Sequence, residues 1–384
     1  MIYLDHAATA FARPPEVRDA MVHFLDRVSA NPGRSGHRLS LAAAEVVYEA
    51  REAVAELFHA PDPLRVVFGL NGTEAINQAL VGLLRPGDHV VTSSLEHNAV
   101  MRPLRALEAR GVAVTVVRCS PEGLLDPAHI EQALRPETRM IVLNHASNVV
   151  GTVLPVAAAG RIARAHGVLL LVDAAQTAGA WPIDVEGDHI DLLAFTGHKS
   201  LLGPTGTGGL VIGARVDPGA MQPLKHGGTG SASEHERQPE FLPDRLESGT
   251  PNAVGIAGLG AAVRWLLDRG IEAVQEQEAA LAVRLIAGLS AIAGVRVYGT
   301  EDPARRTATV SFTVAGRSVA EVGYALDESF DILSRVGLHC APAAHRTIGT
   351  FPEGTVRFSL GLFNNADDVD CAVDAVARIA GGSP

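Results

Sequence analysis

Lys199 stands in Thr196-Gly197-His198-Lys199, directly after an apolar run over 192–195. An amine at the carboxyl end of a strand faces the crevice in which open α/β sheets bind ligands. Asp173 ends an earlier apolar run over 168–172 and begins Asp173-Ala174-Ala175-Gln176. A Schiff-base lysine together with a carboxylate for a pyridine ring nitrogen suggests a pyridoxal phosphate site. Burial beside a cationic ring would leave Lys199 partly neutral and so able to attack an aldehyde, while the same cation would lower the pKa of Asp173. Taken alone, Asp173 reads equally well as a helix N-cap.

Five further positions carry possible chemistry, each with a plainer alternative. Gly72-Thr73-Glu74 follows a strand and opens a helix, where free amides and the positive dipole end would meet an anion such as a phosphate, unless Thr73 is a simple cap. His97 lies at another strand end, able to stack on a planar ring and exchange protons, or to be an ordinary surface histidine. Asn148 would donate to a phenolic oxygen or satisfy a turn. Arg357 is a charge inside an apolar strand, which demands either a substrate carboxylate or an internal Asp or Glu. Cys340 sits in a Gly/Pro-containing loop with His339 beside it and Arg335 before it, cations that would favour a thiolate. Cys119 and Cys371 read as buried and inert.

The elements that must hold these residues follow from hydrophobic periodicity. Helices are expected over 14–30 and 40–59, the second with Ser40 as its N-cap. Short β-rich runs at 66–68, 89–93, 112–118, 140–144, 168–172, 192–196 and 209–212 alternate with helical stretches. This alternation predicts an α/β fold with a mostly parallel seven-stranded central sheet covered on both faces. The Gly-, Ser- and Pro-rich stretch 227–251 reads as a long functional loop. Beyond it, helices over 254–270 and 271–293 and strands at 296–298, 308–314 and 356–360 predict a smaller α+β domain. The expected division is a large cofactor-binding domain over 13–250 and a small C-terminal domain over 251–384, with segment 1–12 packing near the latter.

Composition narrows the function classes. A chain of 384 residues with 47% hydrophobic content can fill two cores. A formal net charge of -11 argues against nucleic-acid and anionic-membrane surfaces, which need clustered Lys and Arg. Three widely spaced cysteines indicate neither a disulfide framework nor a paired-cysteine zinc site. The expected location is the cytoplasm, since no signal-like N-terminus or apolar run near the ~20 residues of a membrane span is present.

Taken in order, Tyr3-Leu4-Asp5-His6-Ala7-Ala8, Gly72-Thr73-Glu74, Glu96-His97-Asn98, Ser147-Asn148-Val149-Val150-Gly151, Asp173-Ala174-Ala175-Gln176, Gly197-His198-Lys199, Gly249-Thr250-Pro251-Asn252 and the Cys340 loop resemble the cysteine desulfurases. These belong to the class V aminotransferase group of fold-type-I pyridoxal phosphate enzymes. The resemblance implies Lys199 as the Schiff-base lysine, Asp173 at the ring nitrogen, His97 stacked on the ring, and Asn148 and Gln176 near its phenolic oxygen. It implies a phosphate held by Thr73, Thr196 and His198, and by Thr250 of a neighbouring subunit in a homodimer. Arg357 would bind the carboxylate of a cysteine substrate, and Cys340 would take its sulfur as a persulfide, later cleared by a reductant or a sulfur-acceptor protein. Leu338 stands where related short-loop members often have a second histidine, and the short spacing from Cys340 to Arg357 fits that branch. Other readings are a selenocysteine lyase, another class V aminotransferase or lyase, or a non-catalytic interaction protein on the same fold.

Overall fold

The computed structural model describes residues 1–33 and 35–382. The chain begins with β1 (Ile2–Tyr3) and α1 (Pro15–His23), which runs into one π turn over Phe24–Val28. α2 (Arg38–Leu57) follows, and its N-cap is His37 rather than the expected Ser40. The His37 ring accepts the Ser40 amide at 3.2 Å, while the Ser40 hydroxyl donates to the Asn31 carbonyl at 2.7 Å. An imidazole nitrogen thus does what propensity assigns to serine, and the serine is spent on tying the preceding loop to the helix.

Strands and helices then alternate as β2 (Val66–Gly69), α3 (Gly72–Leu83), β3 (His89–Ser93), α4 (Asn98–Glu108), β4 (Ala113–Val117), α5 (Pro127–Gln132), β5 (Thr138–Asn144), α6 (Val156–Ala165), β6 (Leu169–Asp173), β7 (Leu192–Thr196) and β8 (Gly208–Ile212). They build one seven-stranded sheet in the order β2-β8-β7-β6-β5-β3-β4. β8 runs antiparallel to β2 and β7, and the other pairings are parallel. Every residue of β3, β6, β7 and β8 is buried, as a sheet covered on both faces requires. Alternate side chains divide between two cores: Leu170, Val172, Leu193 and Phe195 face one, Leu169, Leu171, Leu192 and Ala194 the other. Register sets Asn144 beside Asp173 and Asp173 beside Ala194, so the carboxyl ends of β5, β6 and β7 finish together.

The remaining chain forms α7 (Ala253–Arg269), α8 (Ile271–Ser290), β9 (Val295–Tyr298), β10 (Thr309–Val314), α9 (Val319–Phe330), β11 (Ile332–Leu333), β12 (Arg335–Gly337), α10 (Pro342–Ile348), β13 (Thr355–Ser359) and α11 (Ala366–Ala380). Strands β12-β13-β10-β9 make an antiparallel sheet, and β1 pairs in parallel with β11. Leu4 therefore joins a third core with Leu285, Phe312 and Phe358, whereas Ile256, Leu259 and Val263 of α7 belong to the core under the large sheet. Helices α9, α10 and α11 fall outside the helices expected from periodicity, although Ser318 with Glu321 and Asn365 with Asp368 form capping boxes at the starts of α9 and α11. Among the described residues no helix is long and apolar enough to cross a membrane.

Two turns meet below the sheet ends. Gly179, in the turn after β6, has φ +90, and a Cβ there would lie 2.5 Å from the carbonyl oxygen of Ser200, next to Lys199. Only glycine lets the Asp173 turn and the Lys199 turn approach so closely. Gly179→Ala is therefore expected to lower stability by about 1–3 kcal/mol, read as a lower urea midpoint at unchanged slope.

Candidate active site

A cavity of about 250 Å³ opens at the carboxyl ends of β5, β6 and β7. Lys199 and Asp173 both line it. Lys199 is half-buried as a residue, but its amine is surrounded by protein, and this desolvation lowers its pKa to about 8. Asp173 opposes that shift, while Arg357 and Arg335 add to it. Burial raises the pKa of Asp173, against the Ala175 amide, which donates to its carboxylate at 3.0 Å, and against the charge of Lys199. Each group thus sustains the other's charge in a place that disfavours both.

The remaining wall is polar and poor in negative charge. His97 caps α4 by accepting the Ala99 amide at 3.0 Å, and burial followed by Lys199 and Arg335 lowers its pKa to about 4. His198 shares a 3.1 Å hydrogen bond with the Thr9 hydroxyl and is likewise lowered to about 4, chiefly by burial. Gln176 donates to the Ala7 carbonyl at 3.1 Å. Asn148 donates through Nδ2 to the His339 carbonyl at 2.7 Å, leaving its buried Oδ1 without a partner. The buried hydroxyl of Thr196 also has none. Gly72 and Thr73 bring the first turn of α3 to the same cavity, with Asn71 capping that helix through the Glu74 amide at 2.9 Å.

Glu74 and Thr250 lie outside this cavity, Thr250 being expected at a neighbouring subunit's site. Glu74 does not line this cavity: its carboxylate accepts the Leu70 amide at 2.6 Å and pairs with Lys225 at 2.5 Å. A carboxylate in a first helical turn is best satisfied by the free amides and cation nearest it, and these draw Glu74 away. Thr250 lines the same second cavity as Glu74.

Arg357 is 1% exposed and half committed. Its Nη2 meets Asp5 at 2.5 Å and its Nη1 donates to the Asn148 carbonyl at 3.0 Å, while Nε is unpartnered. The internal ion pair considered from sequence is therefore present, formed with a residue 352 positions away. Arg335 is its register partner across β12 and β13, and both line the cavity.

Cys340 is exposed, and Arg335 Nη2 lies 3.7 Å from its sulfur. The expected second cation is absent. His339 is 3% exposed, and burial, then Arg357, His345 and Arg335, push its pKa down to about 2, so it is neutral at physiological pH. Cys119 is buried and its thiol is pushed up to about 11 by burial. Cys371, expected to be buried, is exposed because it falls on the outer side of α11.

Local reading missed two supports. Asp5 neutralises Arg357, and nothing in its own neighbourhood announces a partner so distant. Glu96 lies beneath the wall with a pKa raised to about 8 by burial, accepting the Ser93 hydroxyl at 2.5 Å and the Asn144 amide at 2.9 Å. Its place between a strand end and His97 was the available signal.

Comparison with known proteins bears on this cavity. The family model described as aminotransferase class-V matches residues 2–371. A probable cysteine desulfurase of Methanothermobacter thermautotrophicus is 38% identical over 99% of this chain and 95% of its own length. The apo structure of a cysteine desulfurase from Thermococcus onnurineus NA1 superposes with a TM-score of 0.93 at 32% identity, over 99% of this chain and 95% of that one. The cysteine desulfurase CsdA of Escherichia coli gives a TM-score of 0.88 at 32% identity, over 100% of this chain and 95% of that one. The fold is accordingly the fold-type-I arrangement expected for pyridoxal phosphate enzymes.

Members of this family use pyridoxal phosphate, and the residues present fit it. A helix N-terminus and an unsatisfied hydroxyl suit a phosphate, a buried carboxylate suits a ring nitrogen, and an amine of lowered pKa suits an aldehyde. The neutral fraction of Lys199 rises with pH until its pKa of about 8 is passed. The rate at which cofactor-free protein gains visible absorbance on mixing with pyridoxal phosphate should thus climb about tenfold per pH unit below that point and level off above it. A stopped-flow series would reveal a flat profile if the amine were already neutral. With a match running along residues 2–371, the chain belongs to the class-V aminotransferase family.

Proposed function

We propose that the protein is a cysteine desulfurase that converts L-cysteine to L-alanine and carries the sulfur away on Cys340 as a persulfide. The observation that carries this reading is an exposed thiol 3.7 Å from Arg335, a residue that also lines the cavity shared by Lys199 and Asp173. The relatives named as cysteine desulfurases support it.

In this reading Thr73, Thr196 and His198 would hold the cofactor phosphate, Asp173 would pair with the ring nitrogen, His97 would stack on the ring, and Asn148 and Gln176 would serve its phenolic oxygen, all seven lining the one cavity. Bound pyridoxal phosphate supplies an electron sink for the alpha carbon of the substrate. Lys199, with a pKa of about 8, is present in both protonation states near neutral pH and moves the proton at that carbon. Arg357 and the adjacent Arg335, which both line the cavity, receive the substrate carboxylate. The Cys340 thiolate attacks the substrate sulfur. A sulfur–sulfur bond forms, the carbon–sulfur bond breaks, and its electron pair stays on carbon, which takes up a proton to become the methyl group of alanine. A thiol acceptor, either a reductant or a sulfur-acceptor protein, then removes the outer sulfur.

The same reading includes a homodimer, supported by Thr250 lying outside its own chain's Lys199 cavity, where it can serve a neighbour. A reducing, cytoplasmic setting is supported by three free cysteines. We keep the two-domain division near residue 250 as part of this reading, with α7 packing back against α1 and α2 of the large domain.

Cys340→Ala should keep the visible absorbance of the holoenzyme and lose sulfide release from cysteine. Full turnover in that variant would remove Cys340 from the mechanism and end this reading. Arg357→Lys should raise KM for cysteine, because an ammonium cannot reproduce a planar fork and leaves Asp5 poorly paired. An unchanged KM would release Arg357 from substrate binding.

A further inference from the structure

His339 is the residue whose expected role fails most plainly, and its surroundings suggest a different one. Its carbonyl accepts Nδ2 of Asn148 at 2.7 Å. Its ring Nε2 lies 3.1 Å from the Thr355 hydroxyl, which donates to the Ser311 hydroxyl at 3.0 Å, which donates to the Val149 carbonyl at 2.6 Å. The Thr355 proton is committed to Ser311, so the imidazole must be the donor, which selects the Nε2–H tautomer. The chain starts and finishes on neighbouring residues, Asn148 and Val149, and closes a ring through β10, β13 and the cysteine loop.

The backbone at this point resists its own geometry. His339 and Cys340 both adopt positive φ, +47 and +58. Two consecutive side-chain-bearing residues in that region persist only where their surroundings hold them. The Asn98 amide, which donates to the Cys340 carbonyl at 2.8 Å, supplies one hold, and the ring through His339 supplies the other.

We propose that His339 is a positioning residue for Cys340: as an Nε2–H donor to Thr355 it fastens the thiol-bearing loop to the wall of the Lys199 cavity and so sets where the sulfur can reach. This rests on the proposed desulfurase reading. Its pKa of about 2 agrees with an imidazole that stays neutral among Arg357, Arg335 and His345 and takes no part in proton transfer.

The test uses holoenzyme carrying Thr355→Val, His339→Asn, both together, or His339→Gln. Valine keeps the shape of threonine without its hydroxyl. Asparagine tolerates positive φ but places its amide at the Nδ1 position, whereas glutamine reaches the Nε2 position. Thr355→Val and His339→Asn should retain the visible band and the spectrally measured cysteine affinity, while sulfide release falls by about 100-fold, as for an Å-scale misplacement of a reacting group. Iodoacetamide should alkylate Cys340 faster in both, because the loop is released. The double variant should be no slower than the worse single, and His339→Gln should recover much of the rate.

Wild-type sulfide release from folded Thr355→Val and His339→Asn, additive losses in the double variant, or a loss explained by weaker cysteine affinity would each overturn the positioning role. Should Cys340→Ala turn over cysteine normally, the desulfurase reading itself fails. An inactive Cys340→Ala beside fully active Thr355→Val and His339→Asn sinks only the role given to His339.

Discussion

An amine and a carboxylate facing one desolvated cavity form the constraint on which this molecule depends. Lys199 and Asp173 come from the ends of adjacent elements, and burial pushes each toward its neutral form while the other's charge pulls it back. That balance leaves Lys199 near a pKa of about 8, where an amine can both attack and carry a proton. It exists because β5, β6 and β7 end in register and because the turns after β6 and β7 can touch at Gly179.

Around this pair the protein arranges an anion-hungry environment within a chain whose formal net charge is -11. Arg335 and Arg357 stand side by side across β12 and β13, and α3 points its N-terminus inward. The histidines at the site, His97, His198 and His339, are held neutral chiefly by burial, with help from Arg335 and Arg357 at His97 and His339 and from Lys199 and Arg13 at His198. Positive charge is therefore concentrated on the arginines and the helix end that line the cavity, rather than shared among the imidazoles.

The small C-terminal sheet acts on this environment through contacts that span the whole chain. Asp5, carried on the N-terminal segment that pairs with β11, neutralises one arm of Arg357, and the other arm holds the Asn148 carbonyl. Asn148 in turn grips the cysteine loop at His339. The cavity wall, the paired arginines and the thiol-bearing loop are thus one connected polar network, in which a buried donor left without a partner would be costly.

Much of this was legible in the order of residues. Apolar runs of strand length, separated by helical stretches, located all seven strands of the large sheet within a residue or two, because alternation and crossover length are local properties. The same logic put Lys199, Asp173, His97 and Asn148 at strand ends, where the fold brings them together. What the linear pattern could not decide was the environment of each side chain. Asp5 meets Arg357 across 352 positions, Glu74 turns to Lys225, Ser40 yields its cap to His37, Cys371 faces out and His339 faces in. Residue type and spacing determine which backbone elements form and which groups stand at their ends. Charge state and partnership depend on desolvation and on atoms brought close from remote parts of the chain, and only the folded packing supplies these.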